Sequence, residues 1–349
     1  MRRVKAAFYG NFACPWSSET HHAASLEELG VDVVRLQEPK VPWQQIQAAA
    51  EKSNFFCWIK THGWETPGIE NVLNRMKALG IPVISYHLDA YRQIPDRWRK
   101  YQSDPYMQSL DHFFTVDDCL AQWLNENTDV KGHYLPPGVF GAECYISDQP
   151  SPHANELVFV GSRGYHKTYS MRPKLIDWLK STYGPRFTHV GGDGDTGTIR
   201  GDNLNRVYAN SKVVVGDSFI CDPNYQGKYW SDRIPETLGR GGGPLLHPWV
   251  YGLDEQFTDG EHLVTYRHGD FDDLKTTIDY FLDDANTEER EQIRMAGHEH
   301  VKAHHTYAHR WQTILDTVFR ERDGGHAHKR PVDAEVAGAS RCTSAVGHR

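Results

Sequence analysis

Three loops early in the chain carry residues suited to acid–base work. They are Gly10–His22 (GNFACPWSSETHH), Thr61–Trp64 (THGW) and Ser85–Asp89 (SYHLD). A histidine beside a carboxylate is held in one orientation and made more basic, so His87 with Asp89 is a candidate pair for positioning or deprotonating a hydroxyl. Asn11, Trp16 and His62 stand in the companion loops as candidate contacts to the same substrate. Loop histidines that only hydrogen-bond locally would explain any one of these loops alone. Three in register weaken that account.

The second half offers a different chemistry. Gly161–Gly164 (GSRG) follows the apolar run LVFV. A glycine turn leaving a strand exposes backbone N–H groups that suit a phosphate. Arg163 would add a bidentate cation and Lys167 a point charge. A tight turn with surface cations explains the same residues. Ser231–Pro248 (SDRIPETLGRGGGPLLHP) sets Glu236 before a glycine-rich turn. A carboxylate there can accept hydrogen bonds from both ribose hydroxyls of a nucleotide, and Gly239–Gly243 would let backbone approach a ligand closely. The rival reading is a capping glutamate and a helix-to-strand turn. Gly191–Asp195 (GGDGD) has the acidic pair of some metal sites, but it also reads as a turn, and no metal is expected. Arg92–Tyr101 (RQIPDRWRKY) interleaves cations with aromatics, which suits an anionic acceptor or a solvated helix face.

These loops need a scaffold that brings them together. In the first half, short apolar runs at Val4–Tyr9, Val31–Leu36, Phe55–Lys60, Pro82–Tyr86, Phe113–Val116 and His133–Leu135 read as strands. Helices are expected to about Leu29, over Gln44–Ala50 and over Gly68–Leu79. After the proline- and glycine-rich stretch from Leu135 to Pro152, a second series begins at Leu157–Val160. Its strands are Phe187–Val190, Lys212–Val215, Pro244–His247 and Leu263–Tyr266. Its helices are Pro173–Tyr183, Asn203–Ala209, Ser231–Leu238, one near Leu253–Phe257, Asp270–Asp283 and Glu288–His304. Such alternation predicts parallel sheets covered on both faces. Two doubly wound units place a ligand cleft between the carboxyl ends of their sheets. The expected division is 1–150, 151–305, a final helix 306–322 with an apolar face, and a tail, 323–349, too poor in large apolar residues to fold.

Composition bounds the function. The chain has 349 residues, 39% hydrophobic and 24% charged, and a formal net charge of −8, so a broadly basic nucleic-acid coat is excluded. No apolar run reaches the ~18 residues of a membrane span, and the start does not read as a signal peptide. Six scattered cysteines without a C-x-x-C pair fit a reducing cytoplasm. The twenty histidines divide among tail, C-terminal helices and strand-end loops, and mark no metal centre.

Together the segments resemble the GT-B glycosyltransferases, in particular the CgeB-like and "glycosyl transferases group 1" proteins of bacteria and phages. The residues that carry the resemblance are GNFACPWSSETHHAASLEELG, FVGSRGYHKTYSMRP, LNRVYANSKVVVGDSF, SDRIPETLGRGGGPLLHP, FTDGEHLVTY and AGHEHVKAHHTYAHR, spread over roughly residues 4–320. The resemblance implies an α/β fold of two Rossmann-like domains facing a central cleft. The second domain would bind a nucleoside diphosphate sugar, such as a UDP-sugar, as co-substrate without a further cofactor. The last helix would cross back to the first domain. Glu236 matches the family's ribose-binding glutamate. Arg163 and Lys167 fall where diphosphate-binding cations are placed, Asn205, Tyr208 and Ser211–Lys212 near the base, and Gly241 and Gly242 against the diphosphate. The implied reaction is metal-independent hexosyl transfer, with retention the expected outcome. The position eight residues before Glu236 is Lys228, however, so the paired-glutamate motif of retaining relatives is incomplete. The acceptor hydroxyl would belong to a polysaccharide, a small molecule or a modified base of phage DNA. An epimerase or hydrolase on the same fold, or a non-catalytic nucleotide-sugar-binding module, would share these features.

Overall fold

The computed structural model describes residues 3–60, 65–90, 104, 106–164 and 169–323. Alternating apolar runs become two parallel sheets. The first contains β1 (Lys5–Gly10), β2 (Asp32–Gln37), β3 (Phe55–Trp58), β4 (Val83–His87), β5 (His112–Thr115) and β6 (Lys131–Tyr134), in the order β2-β1-β3-β4-β5-β6. The second contains β7 (Leu157–Val160), β8 (Phe187–Val190), β9 (Val213–Val215), β10 (Leu245–Pro248) and β11 (Val264–Tyr266), in the order β11-β10-β9-β7-β8. Each sheet reverses its winding beside its first strand. The crevice outside the carboxyl ends of the strands at that point is where ligands bind in open α/β sheets.

Period-two side-chain alternation explains why both faces are covered. On β1, Ala6 and Phe8 face one core and Ala7 and Tyr9 the other. The first core is closed by α1 (Ser18–Glu28) through Ala23 and Leu26. The second is closed by α2 (Trp43–Ala50), α3 (Ile69–Leu79) and α4 (Asp118–Asn127) through Ile46, Met76 and Leu124. The second sheet divides likewise. Val158 and Val214 pack under α6 (Asp202–Ala209) and α7 (Arg233–Gly239). Phe159 and Val215 pack under α5 (Arg172–Tyr183) and α8 (Phe271–Leu282).

The chain then runs through α9 (Thr287–His304) into α10 (Tyr307–Asp323), which packs on the first sheet, where Trp311, Ile314 and Val318 join Phe8, Phe55 and Tyr86. Burying each such side chain contributes ~1.5–3 kcal/mol. Two local expectations fail. The stretch Leu253–Phe257 forms successive turns rather than a helix, behind Gly252 at φ +78°. Helix α4, not anticipated between β5 and β6, is started by Asp117, whose carboxylate accepts from the N–H groups of Cys119 and Leu120. Among the described residues, no helix is long and apolar enough to cross a membrane. The 323–349 tail, apart from Asp323, lies outside the described residues, as do Lys167, His62, the Thr61–Trp64 loop and all of Arg92–Tyr101.

Candidate functional site

The reversal point of the second sheet lies between β7 and β9. The loops leaving these strands, at Ser162 and Asp217, are tied by one buried side chain. Arg172, the first residue of α5, donates through Nη2 to the Asp217 carbonyl (2.6 Å) and through Nη1 toward the Ser162 carbonyl (3.4 Å). Its guanidinium lies 4.8 Å from the Tyr169 ring centroid. In the first sheet, the loop after β1 leads into α1. Ser17 caps that helix by accepting from the Thr20 N–H (3.1 Å), so Ser18 opens the helix toward the second unit. A helix N-terminus there favours an anionic group.

Two adjoining cavities occupy the space between the sheets. One, of about 450 Å³, is lined from the second unit by Gly161, Ser162, Val190, Ile199, Leu204 and Tyr208, with Arg200, Arg233, Glu236 and Arg240 as its charged wall. Trp16 and His21 close it from the first unit. The other, of about 220 Å³, is lined by His22, Tyr86, His87 and Asp89 from the first unit and by Tyr169, Arg172 and Tyr229 from the second. Ser18, Asp232 and Arg233 line both.

Only some of the residues singled out from the sequence line these cavities, and not in one group. His87 and Asp89 lie in the smaller cavity, and the His87 ring is stacked on Phe113 at 4.8 Å. Glu236, Tyr208 and Trp16 lie in the larger one. Asn11 sits at the rim of the first sheet, where its carbonyl accepts from the Ser17 hydroxyl and its side chain from Gln37, outside the lining of both cavities.

The other expected donor contacts are placed differently. The N–H groups of Arg163 and Gly164 point at the Asp193 carboxylate rather than at open space (3.0 Å from Arg163). The Arg163 guanidinium forms a bidentate pair with Asp177 on the surface. The acidic pair considered for a metal is thus occupied: Asp193 holds that turn, and Asp195 pairs with Lys180 (2.6 Å). Asn205 is buried, donating to the carbonyls of Glu143 (2.9 Å) and Tyr145 (2.8 Å) and accepting from Arg240. Gly241 and Gly242 make room for protein: a Cβ on Gly241 would meet Ile146 at 2.5 Å, and one on Gly242 would meet Tyr208 at 2.6 Å.

Among the described residues, the cations lining the larger cavity are Arg233, Arg200 and Arg240. Gly161 makes this possible, because a Cβ there would stand 2.8 Å from the Arg233 guanidinium carbon. Arg233 and Glu236 are three apart on α7 and therefore share a face. That spacing was visible in the sequence, whereas nothing local marks Arg200.

Burial and neighbouring charge set the protonation states. The Asp232 carboxyl is pushed up to about 7 by burial, then by Glu236, with Arg233 opposing. His22 is pushed down to about 3 by burial, so it is neutral. Trp311 Nε1–H donates to its Nδ1 (3.2 Å), which places the His22 proton on Nε2. His247 is also held neutral by burial, down to about 3. Its Nδ1–H donates to the Pro248 carbonyl (2.7 Å), so its Nε2 accepts from the Ser218 hydroxyl (2.8 Å). The Ser231 N–H in turn approaches Ser218 Oγ (3.4 Å), a chain that fixes the backbone just before Asp232.

Residues 172–316 match the family model described as glycosyl transferase-like. The whole architecture is the GT-B fold, shared with solved structures over nearly all of this chain. A glycosyltransferase from Rickettsia africae superposes with TM-score 0.55 at 11% identity, covering 92% of this chain and 100% of that one. Sucrose-phosphate synthase from Thermosynechococcus elongatus gives 0.58 at 12% identity, covering 91% and 100%. Anabaena HepE in complex with UDP and glucose gives 0.57 at 12% identity, with the same coverage. At such identities the likeness is one of fold. No curated protein sequence matches the chain. In the GT-B frame, the larger cavity lies on the side of the matched segment, and the smaller lies between it and the first unit.

Proposed function

We propose that this protein is a glycosyltransferase that moves a sugar from a nucleoside diphosphate sugar to an acceptor hydroxyl. The observation that carries this reading is the placement of Glu236 and Arg233 on one face of α7, both in the larger cavity at the reversal point of the second sheet. A carboxylate and a guanidinium at that spacing match the two polar parts of a nucleotide. Glu236 accepts from the ribose hydroxyls, while Arg233 and Arg200 meet the diphosphate. Val190, Ile199, Leu204 and Tyr208 give the base an apolar seat. HepE is described with UDP and with UDP-glucose, which makes a uridine nucleotide the first donor to try.

In the transfer step the diphosphate leaves with the bonding electron pair. Fixed cations aimed at the developing charge lower the barrier more in a confined cleft than in water. Arg233, Arg200 and the N-terminus of α1 supply that field in this reading. The smaller cavity takes the transferred sugar and the acceptor, with His87 and Asp89 orienting the acceptor hydroxyl. Lys228, eight residues before Glu236, pairs with Glu255 (2.5 Å) and lines neither cavity, so any retaining mechanism would lack a carboxylate at that position.

A thermal-shift screen of nucleotide sugars tests the donor, because a ligand that binds the folded state raises its melting temperature. Incubating the stabilising donor with acceptor pools follows. A glycosylated product establishes the transferase. An epimerised sugar, or free sugar at the same rate without acceptor, replaces it by the epimerase or hydrolase. Binding without any turnover leaves a nucleotide-sugar-binding module.

A further inference from the structure

The two cavities meet at three side chains, Ser18, Asp232 and Arg233. In glycosyl transfer the bond that breaks and the bond that forms share one carbon of the sugar. The group that takes the acceptor proton therefore has to stand where the donor and acceptor spaces join. Arginine stays protonated, and a serine hydroxyl is not a base near neutrality. Asp232 is the carboxylate of the three.

Its local structure also points into the cleft. Asp232 immediately precedes α7, a position where aspartate normally bonds the free N–H groups of the first turn. Here the residue is already helical, at φ −54° and ψ −18°, and its side chain makes no capping bond. The Ser231 hydroxyl instead accepts from the Arg233 N–H (3.2 Å). The carboxylate is left partly open to both cavities on backbone pinned by the His247–Ser218–Ser231 chain.

We propose that Asp232 is the acid–base group at the point of transfer, its carboxylate accepting the proton of the attacking acceptor hydroxyl. The proposal rests on the glycosyltransferase reading above. As the acceptor oxygen bonds to the anomeric carbon, its proton passes to Asp232. The bond from that carbon to the phosphate oxygen breaks, and its electron pair leaves with the diphosphate. Asp232 then returns the proton to the diphosphate or to water, so charge and atoms balance.

The surroundings agree with this role. The charged groups acting on Asp232 are Glu236 and Asp89, which hold its proton, and Arg233 and Arg200, which oppose them. Tyr86, Tyr229 and Tyr307 also feel its charge, and burial raises all three phenols far above neutrality, so they do not compete for the proton. His22 does not compete either: its Nδ1 is taken by Trp311, and its Nε2 already carries the proton. The resulting carboxyl, raised to about 7, suits a general base working near neutral pH.

The test compares D232N, D232E and D232A with the wild-type protein, using the donor found by the screen. UDP affinity by calorimetry is expected to stay within about threefold for all three, which shows that fold and nucleotide site are intact. Turnover at saturating donor is expected to fall roughly 10²–10⁴-fold in D232N. The acid limb of the pH–rate profile should vanish with it, D232E should retain part of the rate, and formate should restore turnover to D232A. Wild-type turnover in D232N with the acid limb intact overturns the proposal while leaving the transferase reading in place. Loss of UDP binding in step with turnover also overturns it, by making Asp232 a donor contact. A wild-type protein that binds UDP but never transfers sugar removes the transferase reading, and this proposal with it.

Discussion

Replacing Gly161 with alanine is expected to weaken the phosphate contribution to nucleotide binding while sparing the nucleoside. Gly161 has φ +142°, a conformation that side-chain-bearing residues rarely adopt. Its backbone is pinned on both sides: its N–H donates to the Val190 carbonyl (2.8 Å), and its carbonyl lies 2.7 Å from His189 Nε2. The added Cβ would stand 2.8 Å from the Arg233 guanidinium carbon. Because the turn is held, the flexible end of Arg233 is what yields. Two costs follow. Backbone strain lowers stability by about 1–3 kcal/mol. Losing a hydrogen bond between a guanidinium and a phosphate costs about 1.5–3 kcal/mol, which corresponds to roughly 10- to 150-fold in affinity.

Calorimetry with UDP and with uridine separates these effects, since only UDP carries the phosphates. The expected result is weakened UDP, unchanged uridine and a lower melting temperature. Equal weakening of both ligands would show that Arg233 does not face the diphosphate. Full UDP affinity would show that the clash is absorbed without moving the guanidinium. Either result refutes the assignment.

Glu236→Gln is expected to weaken UDP and uridine alike by about 10- to 150-fold, through about 1.5–3 kcal/mol of charge-assisted hydrogen bonding, and to leave 2′,3′-dideoxyuridine nearly unaffected; calorimetry reads all three. Glu38→Gln is expected to stabilise the fold at high pH only. The Glu38 carboxyl is fully buried, its Oε1 accepts from Trp58 Nε1–H (3.1 Å), and burial raises it to about 7. Between about 4.5 and 7 the folded protein holds a proton there that the unfolded chain has lost, so stability falls as pH rises through that window. Urea unfolding should favour Gln by up to about 3 kcal/mol at pH 8 and by almost nothing at pH 4.5. Trp311→Phe removes the donor to His22 Nδ1 and should cost ~1–3 kcal/mol, while ¹⁵N NMR of the His22 ring should show the Nδ1–H tautomer appearing.

The layering was legible in the sequence because it rests on local signals. Short β-branched and aromatic runs, glycine stops and capping serines placed the strands of both described sheets and most helices within a few residues. Helix α4 escaped because its apolar positions, Leu120 and Leu124, are few and its cap, Asp117, reads equally as a turn residue. The site was legible where its chemistry lies within one segment. Glu236 is an example, since the segment that contains it also sets its helix and its neighbour Arg233. It was obscured wherever a partner comes from far along the chain. The Gly161–Gly164 turn has the composition of a phosphate cradle, yet Asp193, thirty residues on, occupies the N–H groups that would bind one. Arg163 likewise has a cation's promise and a surface partner, Asp177. Asn205 is spent on Arg240 and the backbone at Glu143 and Tyr145.

Two crossings of the chain help to hold the two units beside the cleft. The chain leaves the first unit through residues 136–140 and returns to it through residues 304–310, and the two crossings run side by side. Val139 N–H donates to the His305 carbonyl (2.9 Å), and Tyr307 N–H donates to the Val139 carbonyl (2.8 Å). Arg310 clamps both strands, donating to the carbonyls of Pro137 (3.0 Å) and His304 (3.1 Å). Gly138 lets them touch, since a Cβ there would meet the His305 carbonyl oxygen at 2.9 Å. The units are also joined away from this pair: the Lys228 N–H donates to the Asp118 carboxylate (2.7 Å) and the Tyr225 hydroxyl to Asp117 (3.1 Å), so sliding and rotation are both resisted. Ser18 stands on one unit and Asp232 and Arg233 on the other. Ser18, at the N-terminus of α1, and Arg233 already line the same two cavities, so in the proposed reading the cationic site is assembled before donor binds.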